Sequence, residues 1–128
     1  MTYHFSKMLI ASFDEVIARV TEALKGDGFG VLTDIDVKAT LKKKLDVEFR
    51  PYRILGACNP ALAFQALQLE DKVGTMLPCN VIVQEREGGR VEVSAVDPVA
   101  SMQAIENPGL AEIAKQVQDK LRRIIDHL

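Results

Sequence analysis

From Tyr3 to Ile10 the chain alternates Tyr3, Phe5, Lys7 and Leu9 with His4, Ser6, Met8 and Ile10, and this period of two in strand-forming residues predicts a first strand. Ser12-Phe13-Asp14-Glu15 then has the form of a capping box. Phe13, Val16, Ile17, Val20 and Leu24 follow at helical spacing as far as Gly26, so a helix begins at Ser12 with one apolar stripe. The glycines at 26, 28 and 30 follow a helix rather than lead into one, the wrong order for a phosphate cradle, and read as a turn. Between Gly28 and Asp36, Phe29, Val31, Thr33 and Ile35 recur at period two and predict a second strand with these four on one face. Asp36 caps a short connecting helix carrying Val37, Leu41 and Leu45, with Lys42, Lys43 and Lys44 turned to water.

Phe49 to Cys58 reads as a third strand entered through Pro51, and Asn59-Pro60 as the cap and first position of a helix running to about Glu70. Met76 to Glu87 and Arg90 to Val96 are two apolar runs separated by Gly88-Gly89, which predicts an antiparallel hairpin with a two-residue turn. Asp97-Pro98 and Asn107-Pro108 are further cap-and-proline pairs. The stripe Leu110, Ile113, Val117, Leu121, Ile124 and Leu128 makes the last element an amphipathic helix. These elements compose an α+β fold, an antiparallel sheet of about five strands with helices packed on one face, in a single domain over residues 1–128. A sheet covered on one side has a second face to bury, which gives the chain a motive to form a homodimer.

Composition narrows the class. With 128 residues, 48% hydrophobic and 27% charged, the chain has the makeup of one folded globular domain rather than a disordered one. Sixteen basic against eighteen acidic residues leave a net charge of -2, so no global field favours nucleic acid or an anionic membrane. The start of the chain lacks the pattern of an export signal and no long uncharged run is present, so the expected location is cytoplasmic, with no membrane partner. The two cysteines, Cys58 and Cys79, are too few for a disulfide scaffold and are expected as free thiols.

Three stretches carry a resemblance to a known family: Phe49-Arg50-Pro51-Tyr52-Arg53-Ile54-Leu55, Gly56-Ala57-Cys58-Asn59-Pro60-Ala61-Leu62-Ala63 and Leu77-Pro78-Cys79-Asn80-Val81-Ile82-Val83. Together they resemble the central signature of the domain of unknown function 302 family, and the likeness extends over nearly the whole chain. The resemblance implies a TATA-binding-protein-like α+β fold and a dimer. It carries no settled activity, and DNA binding does not transfer with the fold.

The candidate chemistry centres on the thiols. Cys58 immediately precedes the helix start at Asn59, where free amides and the helix dipole favour a thiolate. Cys79 stands at the entrance to the fourth strand. If the two strand ends meet, Cys58 is the attacking or sulfur-carrying thiol and Cys79 the resolving one. Asn59 and Asn80 read as a cap and a turn residue whose amides can also orient a ligand, and Arg50 and Arg53 can supply charge to a small anion at the same helix start. The cofactor is unknown. The alternatives are a non-enzymatic structural or ligand-sensing module with both cysteines in the core, and a soft-metal protein, although no Cys-x-x-Cys or His-x-x-x-His spacing supports a metal. Asp34 and Asp36 share a strand face and read as a solvated edge and a cap. His4 and His127 read as surface or packing residues.

Overall fold

Five seven-residue strands form one fully antiparallel sheet in the computed structural model, which describes residues 2–128. They are β1 (His4–Ile10), β2 (Gly30–Asp36), β3 (Tyr52–Cys58), β4 (Cys79–Glu85) and β5 (Arg90–Val96), in the spatial order β1-β5-β4-β3-β2. The helices are α1 (Phe13–Gly26), α2 (Val37–Leu45), α3 (Pro60–Leu69), α4 (Pro98–Ser101) and α5 (Pro108–Asp126). Consecutive strands β1 and β2 lie at opposite edges, so α1 must cross the sheet between them, where it packs on β2 and β4. The expectation of an antiparallel α+β sheet with its helices on one side holds.

Alternation decides which face is buried. Leu55 and Ala57 of β3, Val81 and Val83 of β4, and Val91, Val93 and Ala95 of β5 all point to the helix side, each at most 1% exposed. Val16, Val20 and Leu24 of α1 and Leu121 of α5 meet them with no exposed surface. Every helix start carries the side-chain cap read from the sequence. Ser12, Asp36, Asn59, Asp97 and Asn107 accept from the backbone N–H of Glu15, Ala39, Leu62, Val99 and Leu110 respectively.

Long-range bonds seat the last helix. Asp97 also accepts two bonds from the buried Gln118 Nε2 at 3.0 and 3.2 Å, and Asn107 Nδ2 donates to the Leu69 carbonyl at 2.9 Å. Lys7 Nζ donates to the carbonyls of Asp126 and Leu128, placing a cation at the negative end of α5.

Several local expectations are corrected. The hairpin loop is not two residues long. β4 ends at Glu85, Arg86 N–H bonds the Arg90 carbonyl at 2.7 Å, and Glu87–Gly89 form a short 3-10 turn with Gly88 and Gly89 both at φ 72°. Asp71–Met76 is a further 3-10 segment where a strand was expected to begin, and Asn80 lies inside β4 rather than in a turn. A register shift between Val31 and Thr33 splits the second strand's stripe. Val31 pairs with Ala57 on the helix side, whereas Thr33 and Ile35 pair with Gly56 and Ile54 on the open side. Helix α2 buries none of its side chains, and Leu45 is 66% exposed.

Asp34 and Arg53 form an ion pair on the helix side at the β2 edge, and Asp36 is the α2 cap. The guanidinium hydrogen bond holds the Asp34 carboxyl below its ordinary 3.8. Its contribution is therefore present above that ordinary value and lost as pH falls through the lowered one. Because both side chains are part-exposed, Arg53→Met is expected to cost at most about 1 kcal/mol at neutral pH. In urea titrations that difference should shrink toward zero under acid conditions. A larger effect is expected at Gly56, where a Cβ would collide with Thr33 Oγ1 and Pro78 Cγ. Gly56→Ala should lower stability by about 1–3 kcal/mol through overpacking, read from the shift in urea midpoint.

Candidate functional site

Pairing between β3 and β4 brings the two cysteines to one end of the sheet. Cys79 is the register partner of Ala57, the residue before Cys58. Successive side chains of a strand alternate, so the pleat directs Cys79 into the core, whereas Cys58, the last residue of β3, stands at the strand end beside the α3 start. Both thiols are free. Cys79 is buried and Cys58 half-buried. Burial, with a smaller contribution from the neighbouring Cys58, pushes the Cys79 thiol from an ordinary 9.0 to about 11, so it stays protonated at neutral pH.

The two cysteines line one small apolar cavity of about 40 Å³, walled by Ala57, Leu62 and Ala66 on one side and Leu110, Ile113 and Val117 of α5 on the other. A second cavity of about 190 Å³ lies alongside, sharing Met102, Leu110 and Ala114 with the first. Asn59 stands at the rim. Its Oδ1 caps Leu62 N–H at 3.3 Å, and its Nδ2 lies against Gly28, where a Cβ would sit 3.2 Å away; Gly28 itself holds φ 85°. The capping role read for Asn59 is therefore the one it performs.

The remaining candidates do not join this cluster. Arg53 lies six residues before Asn59, which at the rise of a strand is roughly 20 Å, and its charge is taken by Asp34. Arg50 lies beyond it and turns to the open face, with its guanidinium 4.5 Å from the Phe49 ring and 5.7 Å from the Tyr52 ring. The structure brings neither Arg50 nor Arg53 to the α3 start: Arg53 pairs with Asp34 and Arg50 bonds Gln84 on the open face. Asn80 is exposed on the open face, opposite Gly56 in register.

That open face holds a concavity of about 480 Å³ over β1, β5 and β4 that the sequence reading missed. At one end a hydrogen-bonded chain runs from Ser94 Oγ to Ser6 Oγ at 2.7 Å and on to His4 Nδ1 at 2.8 Å. At the other end Arg50 Nε donates to Gln84 Oε1 at 3.0 Å, Gln84 Nε2 reaches Glu92 Oε1 at 3.5 Å, and Arg86 Nε donates to the same Glu92 oxygen at 3.0 Å. The available signal was parity. Ser94 and Glu92 alternate with the apolar Val91, Val93 and Ala95, and His4 and Ser6 are two apart, but their meeting depends on the β1–β5 register. Among the described residues no group of three or more His, Cys, Asp or Glu is placed to hold a metal ion, and no helix is long and apolar enough to cross a membrane.

The family model for the domain of unknown function DUF302 matches residues 5–128. The chain belongs to the DUF302 family. The crystal structure of an uncharacterized conserved DUF302 protein from Bacillus stearothermophilus superposes on it with a TM-score of 0.90 at 31% identity, over 98% of each chain. No curated protein matches the chain. In this DUF302 domain the stretches around Cys58 and Cys79 fold into the facing ends of β3 and β4 and the start of α3, and both cysteines line one apolar cavity.

The raised value for Cys79 has a signed consequence. Below pH 9.0 the thiol is neutral in folded and unfolded chains alike; between 9.0 and about 11 only the unfolded chain ionises, so stability falls as pH rises through that window. Wild type is expected to lose roughly 2–3 kcal/mol more than Cys79→Ala across it, measured as the difference in urea-unfolding free energies at the two ends.

Proposed function

We propose that this protein is a cytoplasmic homodimeric binding domain whose pocket beside Cys58 and Cys79 takes a small ligand with an apolar body. One observation carries the reading: two adjoining apolar cavities share a wall of Met102, Leu110 and Ala114, and the inner one ends at the two thiols and the α3 start. An apolar cavity of this kind excludes water and favours apolar guests. Cys58 is the contact residue, being the more accessible thiol. Binding is better supported than disulfide exchange, because burial holds Cys79 as a neutral thiol.

Dimerisation is supported by the uncovered sheet face, which exposes Met8, Ile10 and Ile35 along its two edges. The competing reading, a structural module with both cysteines as core, draws on Cys79 at 7% exposure.

Native mass spectrometry of the freshly purified protein, with Cys58→Ser and Cys79→Ser alongside, separates them. The expected result is a dimer carrying a small bound mass or a modified thiol that the Cys58→Ser protein lacks. Maleimide should label Cys58 in the folded state at least about tenfold faster than Cys79, given their burial and the raised Cys79 value. A bare protein whose two thiols react only after unfolding would support the structural module, and a monomer would remove the pairing.

A further inference from the structure

The open face of the sheet carries a second site, separate from the thiol cavity. Its floor is Ile82, and its two ends differ in chemistry. At one end Arg86, Gln84 and Glu92 line it, and Arg50, which borders the groove rather than lining it, donates to Gln84 Oε1 while Arg86 donates to Glu92. Two cations there meet a single carboxylate. Glu92 takes Arg86, whereas no carboxylate among the described residues pairs with Arg50, whose Nε is bound to an uncharged amide. Arg50 is moreover held over the Phe49 and Tyr52 rings, which fixes the plane of its donors. Buried Gln84, at 6% exposure, ties the two arginines together. The local excess of one positive charge, carried by Arg50 at the margin of the concavity, suits an anion.

The other end is neutral and rich in groups that both donate and accept. Ser94, Ser6 and His4 form their hydrogen-bonded chain there, and the exposed Asn80 carboxamide makes no side-chain hydrogen bond among the described residues. The volume of about 480 Å³ lies within the range of small-molecule sites.

We propose that this groove binds a small organic anion, a phosphate or carboxylate on a hydroxyl-bearing body, with Arg50 and Arg86 taking the anion and Asn80, Ser6 and His4 the hydroxyls. The site is complete within one copy of the chain and does not rest on the thiol cavity. Where two copies pair through this face, the groove becomes a chamber between them.

The test is a titration of the intact protein with inorganic phosphate and with glycerol 3-phosphate, followed by amide chemical shifts, using wild type, Arg50→Gln, Asn80→Ala and Cys58→Ser. Glycerol 3-phosphate should shift amides of β1, β4 and β5 and bind more tightly than phosphate. Arg50→Gln should weaken both by about tenfold or more, the size of one charge-assisted hydrogen bond. Asn80→Ala should weaken glycerol 3-phosphate alone, and Cys58→Ser should change neither. Sedimentation of the same samples separates loss of binding from loss of pairing. Absence of groove shifts at millimolar ligand overturns the proposal, as does binding that survives Arg50→Gln or equal affinity for the two probes; none of these outcomes touches the thiol-cavity reading.

Discussion

Burial of one sheet face beneath α1 and α5 is the interaction on which the rest of this structure depends. The three central strands place small or branched apolar side chains on that face at every second position, and nearly all of these are fully excluded from water. Burial of this kind is the dominant favourable term in folding, and its period of two fixes the strand register, because a slip of one residue would exchange Val81 and Val83 for Asn80, Ile82 and Gln84. The same alternation leaves the opposite face free to carry polar groups. One-sided burial thus makes both the core and the groove.

Topology turns this layer into a closed unit. Because β1 and β2 occupy opposite edges, α1 spans the sheet, and the chain's last helix seals the remaining half. Its position is set by polar ties of long sequence separation: Gln118 to Asp97, Asn107 to the end of α3, and Lys7 to the final carbonyls. These ties also fix the wall of the apolar cavity, since Leu110, Ile113 and Val117 of α5 line the side that faces Ala57 and Leu62. The cavity beside the cysteines is therefore a product of where α5 docks.

The two candidate sites differ in the physics they use. The thiol cavity is lined by apolar side chains, and burial keeps Cys79 neutral there, so its chemistry is that of shape and soft contact rather than charge. The open groove has charge at one end and hydroxyls at the other, held by side-chain networks across three strands. Membership of the DUF302 family and the close match to the Bacillus stearothermophilus structure establish the fold, and the groove and cavity are where that fold concentrates polar and thiol groups.

Local features were legible in the residues themselves. Each of the five helix caps bonds an amide two or three residues away, so Ser12, Asp36, Asn59, Asp97 and Asn107 could be read directly. Strand existence and the buried stripes of α1 and α5 followed from periodicity, and the signature around Cys58 and Cys79 pointed to the family. Hidden from that reading were features that depend on a partner strand. The shift at Val31 and Thr33 answers to β3, Arg53 finds Asp34 only because β2 pairs with β3, and Ser6 meets Ser94 across 88 positions of chain. Sequence alone determined the five strands, the helix caps and the buried stripes of α1 and α5, because those bonds and periods are local. Only the tertiary structure decided which polar side chains share a groove and which cysteine is buried, because strand order and register bring together residues that no spacing along the chain connects.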